Sequence, residues 1–168
     1  MFIHSIPDKG DLAMRLMKKV LVAVIALGCL NAWGDIKSTQ EVAAEAKANA
    51  PHISAQQLAT YLDDGTDVVL LDVRTEAEFD AGHIKGARWM PRGKLEYVIQ
   101  EAVEDPDARI VLYCRTGGRS ALAARTLLDM GYTNVVDLDG GFKAWVEQGN
   151  SLYNQHGELK VVEYQKEE

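Results

Sequence analysis

A cysteine followed by arginines and glycines is where residue types and spacing first point to chemistry. Cys114-Arg115-Thr116-Gly117-Gly118-Arg119-Ser120 follows the apolar run Ile110–Tyr113 and opens a helical pattern. Two glycines let the backbone curl so that several N–H groups converge. The helix beyond adds its own unpaired N–H groups and the positive end of its dipole. Arg115 and Arg119 add two full charges. Each feature favours the thiolate, which is the reactive form of cysteine. The opposing reading is a buried packing residue, a common fate for cysteine. Packing needs neither a double-glycine turn nor flanking arginines, so Cys114 is read as a reactive thiol.

Loop size says what the thiol would carry. Four residues separate Cys114 from Arg119. Cysteine phosphatases have one more residue in the equivalent cradle, which seats a tetrahedral phosphate above the sulfur. The shorter loop makes a tighter ring of amides, suited to one extra sulfur atom. It favours a persulfide over a phosphocysteine.

The loop needs a strand to deliver it and a helix to receive it. Ile110–Tyr113 is a short apolar run of the kind buried on both faces of a sheet. Helical spacing runs from Ser120 to Met130, with Gly131 placed to end it. Asp67–Val73, Ala87–Met90 and Val135–Leu138 read as further strands. Helices are expected at 95–103 and 141–148, and after two capping boxes, Ser54 with Gln57 and Thr75 with Glu78. Strands alternating with helices give an α/β domain with a mainly parallel sheet of about five strands and helices on both faces. Sites in such sheets form beyond the carboxyl ends of the strands, where Cys114 falls.

The whole chain sets the context. Met14–Lys19 is basic, Val20–Leu30 is an apolar run of 11 residues, and Ala32-Trp33-Gly34 supplies small residues before Asp35. Basic, apolar, small is the order of a secretory signal, and the run is short for a bilayer span. The expected organisation is a signal peptide over 1–34, its start at Met1, Met14 or Met17. A linker or loosely attached helix follows over 35–51, then the compact domain over 52–149 and a polar tail over 150–168. The mature protein is placed in the periplasm or outside the cell, with no membrane span. Lipid anchoring at Cys29 is the weaker alternative, because Ala26 stands where a lipoprotein box has leucine.

Cleavage removes Cys29 and leaves Cys114 as the one cysteine, which excludes a disulfide within the monomer. It also shifts the net charge from −7 to −9, arguing against nucleic acid and anionic membranes as partners.

Three segments, in this order, resemble the rhodanese sulfurtransferases. They are Leu71–Phe79 continuing to Gly82–Ala87, the loop Cys114–Ser120, and Gly140–Trp145. The resemblance covers about residues 52–149 and is similar to the small periplasmic single-domain members. Lys85 departs from it, standing where the family often has proline.

The resemblance implies thiosulfate sulfurtransferase activity with Cys114 as the catalytic nucleophile. Arg115, Thr116, Gly117, Gly118, Arg119 and Ser120 would bind the sulfur and its anionic donor. A thiol or cyanide would accept the sulfur, and no metal or organic cofactor is called for. Arg119 divides evenly between binding and scaffolding, since the family's arginine often pairs with buried acids. Asp72 and Arg74 are read as a supporting ion pair, and His83 as a turn residue. Trp89, Met90 and Trp145 are read as core or pocket wall. The second function kept open is a persulfide carrier that relays sulfur to a partner protein. A thiol or arsenate reductase is the third, and it lacks a resolving cysteine.

Overall fold

The computed structural model describes Met14 and residues 36–161. The signal-peptide reading and Cys29 therefore fall outside the described residues, as does the end of the tail. Among the described residues no helix is long and apolar enough to cross a membrane.

Residues 38–161 form one compact unit. Its elements are α1 (Thr39–Asn49), β1 (His52–Ile53), α2 (Ala55–Asp63), β2 (Val69–Asp72), α3 (Glu76–Ala81), β3 (Arg88–Trp89) and α4 (Leu95–Ala102). After these come β4 (Ile110–Tyr113), α5 (Gly118–Asp129), β5 (Val135–Leu138), α6 (Gly141–Glu147), β6 (Leu152–Asn154) and β7 (Gly157–Leu159). The first five strands make one sheet in the order β1-β5-β4-β2-β3. All its pairings are parallel. This is the expected α/β architecture.

Alternation along β4 divides the core. Ile110 and Leu112 join Leu71, Ile99, Ala123 and Leu127 on one face of the sheet. Val111 and Tyr113 join Leu58, Leu70, Leu138 and Trp145 on the other. Each fully buried Leu or Ile contributes about 1.5–3 kcal/mol relative to exposure, so the two layers clamp β4 from both sides. A central strand held in this way presents its C-terminal end rigidly. Loops leaving β2 and β5 on either side converge on the same edge.

Two segments are more firmly built in than their sequences suggest. Residues 35–51, expected as a linker or loose helix, contain α1, which starts on a capping box formed by Ser38 and Glu41. Ala46 and Ala50 are buried in the core beside α5. Alanine makes no strong apolar stripe, yet it lets backbones approach closely. The polar tail expected from 150 instead begins with an antiparallel hairpin, β6–β7. Leu152 is buried, and Tyr153 exchanges backbone hydrogen bonds with His83.

Candidate active site

Cys114 is the first residue past β4, and the next sheet-face alternation aims it into the layer that holds α5. Its thiol is free and only 2% exposed. The two glycines divide their work. Gly117 takes φ +92°, a left-handed turn that reverses the chain. Gly118 is already the first residue of α5, so the helix starts two residues earlier than the spacing suggested. Arg119 and Ser120 therefore lie in the first helical turn, where N–H groups have no intrahelical partner.

Those amides face the sulfur. Burial pushes the Cys114 thiol up, but the Ser120 side chain and the N–H groups of Ser120, Thr116 and Arg119 together pull it below its ordinary value. A merely packed cysteine would show only the upward push. Ser120 Oγ makes no hydrogen bond of normal length and angle, so its effect on the sulfur counts as electrostatic.

The far side of the loop is pinned by α6. Phe142 N–H donates to Cys114 O at 2.8 Å and Lys143 N–H to Arg115 O at 3.0 Å. This contact requires Gly141, which has φ +61° and comes so close that a Cβ would lie 2.5 Å from Cys114 O.

The candidate site residues take different places. Arg115 and Thr116 are exposed at the loop's outer edge, whereas Gly117 and Ser120 are buried. Arg119 makes a two-point contact with Glu78, at 3.1 and 3.2 Å. Its raised pKa comes first from Glu78, and the Cys114 sulfur also contributes, so it both scaffolds and faces the thiol. Asp72 and Arg74 form a buried ion pair at 2.6 Å. Arg74 also donates to Gly82 O and lies 4.0 Å over the Phe142 ring. The pair thus supports Phe142 from behind.

His83 stacks on Phe79 at 3.9 Å, away from the loop. Met90 and Trp145 are core. Trp89, at the surface, donates its Nε1 to Arg74 O. Sequence reasoning missed Glu78 as Arg119's partner, having read it only as a helix cap. Nor is there a local signal for Lys47, whose Nζ donates to Thr116 O at 2.7 Å, or for Asp137, buried beside Gly117. Among the described residues no cluster of three or more His, Cys, Asp and Glu side chains stands together as a metal site would need.

The Arg119–Glu78 pair has a pH signature. The Arg119 hydrogen bond, with help from Thr75, holds Glu78 down at about 2 against an ordinary 4.5. A carboxylate depressed in the folded state adds stability above its unfolded pKa and loses it as pH falls through the folded one. Both side chains are about a third exposed, so solvent screening reduces the contribution to about 1 kcal/mol. Urea midpoints of the wild type should therefore fall between pH about 4.5 and about 2 by more than those of Glu78→Gln. Parallel curves for the two proteins would show that the pair adds nothing.

The geometry matches known proteins. A family profile, Rhodanese-like domain, covers residues 54–148. The chain is 38% identical over 101 residues to the probable adenylyltransferase/sulfurtransferase MoeZ of Mycobacterium tuberculosis, covering 60% of this chain but 26% of MoeZ. A sulfurtransferase of Allochromatium vinosum is 38% identical over 105 residues, 62% of this chain and 96% of its own length. The thiosulfate sulfurtransferase GlpE of Pseudoalteromonas translucida is 35% identical, over 56% and 87% of the two chains. Among solved structures, a Rhodopseudomonas palustris protein described as a possible tyrosine phosphatase superposes with a TM-score of 0.64. It is 31% identical and covers 69% of this chain and 94% of its own.

Proposed function

The chain belongs to the rhodanese-like family, and on that footing we propose that it is a sulfurtransferase working through a persulfide on Cys114. It moves a sulfane sulfur from thiosulfate, or a similar small anionic donor, to cyanide or a thiol. One observation carries this reading. Burial alone would push the Cys114 thiol up, yet the Ser120 side chain and the loop amides that surround it shift it toward the thiolate. The sulfurtransferases among its relatives, GlpE with its thiosulfate donor included, support the same chemistry.

The cycle has two displacements. Cys114 Sγ, as thiolate, attacks the outer sulfur of thiosulfate. The donor's S–S bond breaks and sulfite leaves with the bonding pair. Cyanide or a thiolate then attacks the outer sulfur of the persulfide, and the Cys114 thiolate departs with the electrons, a ping-pong sequence. The amides of Thr116, Arg119 and Ser120 hold the negative charge as it moves between the two sulfurs. Exposed Arg115 draws the anionic donor to the loop. The reading assigns no separate general base, because the loop itself lowers the pKa of the thiol.

The protein works, in this reading, after export and cleavage before Asp35. Its acceptor is a small nucleophile, cyanide or a thiol; the alternative is a thiol on a partner protein that takes the sulfur in relay. The description of the Rhodopseudomonas protein raises phosphate-ester chemistry as the rival, and the short Cys114-to-Arg119 spacing argues against it.

Mass spectrometry of the intact mature chain tests the proposal. Thiosulfate should add about 32 Da, one sulfur, at Cys114, and cyanide should remove it. An unchanged mass would overturn the reading. An adduct that neither cyanide nor thiols discharge would identify a carrier instead. Cleavage before Asp35 is read in the same spectrum.

A further inference from the structure

The carbonyls of the Cys114 loop can be accounted for one by one. Those of Cys114 and Arg115 accept from α6, and Gly117 O accepts from Ala121 N–H at 3.0 Å. The remaining carbonyl, Thr116 O, accepts from Lys47 Nζ at 2.7 Å. Lys47 is 69 residues away in sequence. It belongs to α1, outside the segment 54–148 that the family profile covers.

Its seat is built. A Cβ on Gly117 would lie 2.6 Å from Lys47 Cε, so the absence of a side chain there gives the lysine stem its path. Asp137 Oδ2 lines the same place, 3.3 Å from that Cβ position. Asp137 is buried, its Oδ1 has no hydrogen bond, and the Lys47 charge acts on it. On the next turn of contact, Ala43 comes within 3.3 Å of a Cβ built on Gly118. Helix α1 thus rests directly on both loop glycines.

We propose that Lys47 is a positioning residue for the Cys114 loop, making α1 a working part of the site. By holding Thr116 O, it fixes the rigid Thr116–Gly117 peptide and keeps the flanking amides aimed at the sulfur. A charge-assisted hydrogen bond is roughly twice as strong as a neutral one, which suits it to hold an otherwise exposed turn. The proposal rests on Cys114 being the sulfur-carrying nucleophile. The charged groups around the loop are Lys47, Arg115, Arg119 with its partner Glu78, and Asp137, so loss of Lys47 removes one of three cations.

Lys47→Met in the full mature chain separates positioning from simple attraction of the anion. It should slow sulfur uptake from thiosulfate roughly tenfold. It should also raise the apparent pKa at which iodoacetamide, a neutral reagent, alkylates Cys114. Both effects should persist at about 1 M salt, where the Debye length is ~3 Å. Lys47→Arg, which keeps a charged donor, should recover most of the rate. Should Lys47→Met melt too early to assay, Lys47→Gln carries the same expectations. An alkylation profile equal to wild type, or a defect that vanishes in high salt, would overturn the proposal. Alkylation needs no sulfur donor, so a wild-type chain that takes up no sulfur would sink the sulfur reading alone.

Discussion

Cys114→Ser should lower kcat/KM for sulfur transfer from thiosulfate to cyanide by about 10⁴-fold or more, to the floor of the assay. The substitution changes one atom, and the loop keeps its amides, its glycine turn and its bonds to α6. A serine hydroxyl is not ionised near neutral pH, and loop amides that lower the pKa of a thiol leave a hydroxyl un-ionised there. The donor's outer sulfur then has no nucleophile to meet. Stability should move by no more than about 1 kcal/mol, since the side chain is nearly isosteric. Equal melting curves with activity gone would assign the loss to chemistry. A serine variant that kept a tenth of the wild-type rate would remove Cys114 from the mechanism.

The strand that delivers Cys114 and the loop that follows it were legible because their signals are local. Ile110–Tyr113 and Val135–Leu138 have the bounds expected from their apolar runs. The capping boxes at Ser54 and Thr75 also form as spaced. What the sequence hid depends on distant partners. Lys47 sits in an Ala-, Glu- and Lys-rich stretch where any lysine looks like surface, and its partner is a backbone carbonyl, which no residue type announces. Asp137 interrupts an apolar strand, yet its surroundings come from α1, α5 and the loop. Leu152 lies in a polar segment and is buried only through its place in the cluster with Leu58, Ile84 and Trp145. The second role of Glu78 was masked by its first. As the N3 residue of a capping box, Glu78 has a complete local reason for being there, and its partner 41 residues away leaves no trace in the sequence.

Gly141→Ala is expected to be the most damaging small substitution outside the nucleophile, costing about 4 kcal/mol of stability and most of the activity. The Gly140–Trp145 segment resembled a family motif without showing why glycine stands there, and the structure supplies the reason. Gly141 has φ +61°, a conformation that costs an L-residue about 1–2 kcal/mol. Its Cβ would also meet Cys114 O at 2.5 Å, Gly117 N at 2.9 Å and Thr116 N at 3.0 Å. All three are backbone atoms of the Cys114 loop, so no side chain can swing away to make room. Relief requires moving α6 from the loop, which breaks the Phe142 and Lys143 hydrogen bonds, each worth about 1 kcal/mol.

Gly131→Ala is the control. Gly131 has φ +103° and nothing within 4 Å of an added Cβ, so it carries the backbone cost alone, about 1–2 kcal/mol with normal turnover. Urea melts and kcat/KM for both variants distinguish strain from collision. If Gly141→Ala matched Gly131→Ala in both, α6 would not be what holds the loop's carbonyls. If it loses activity even where it remains folded, the approach of two backbones at Gly141 is what keeps the loop amides turned toward sulfur.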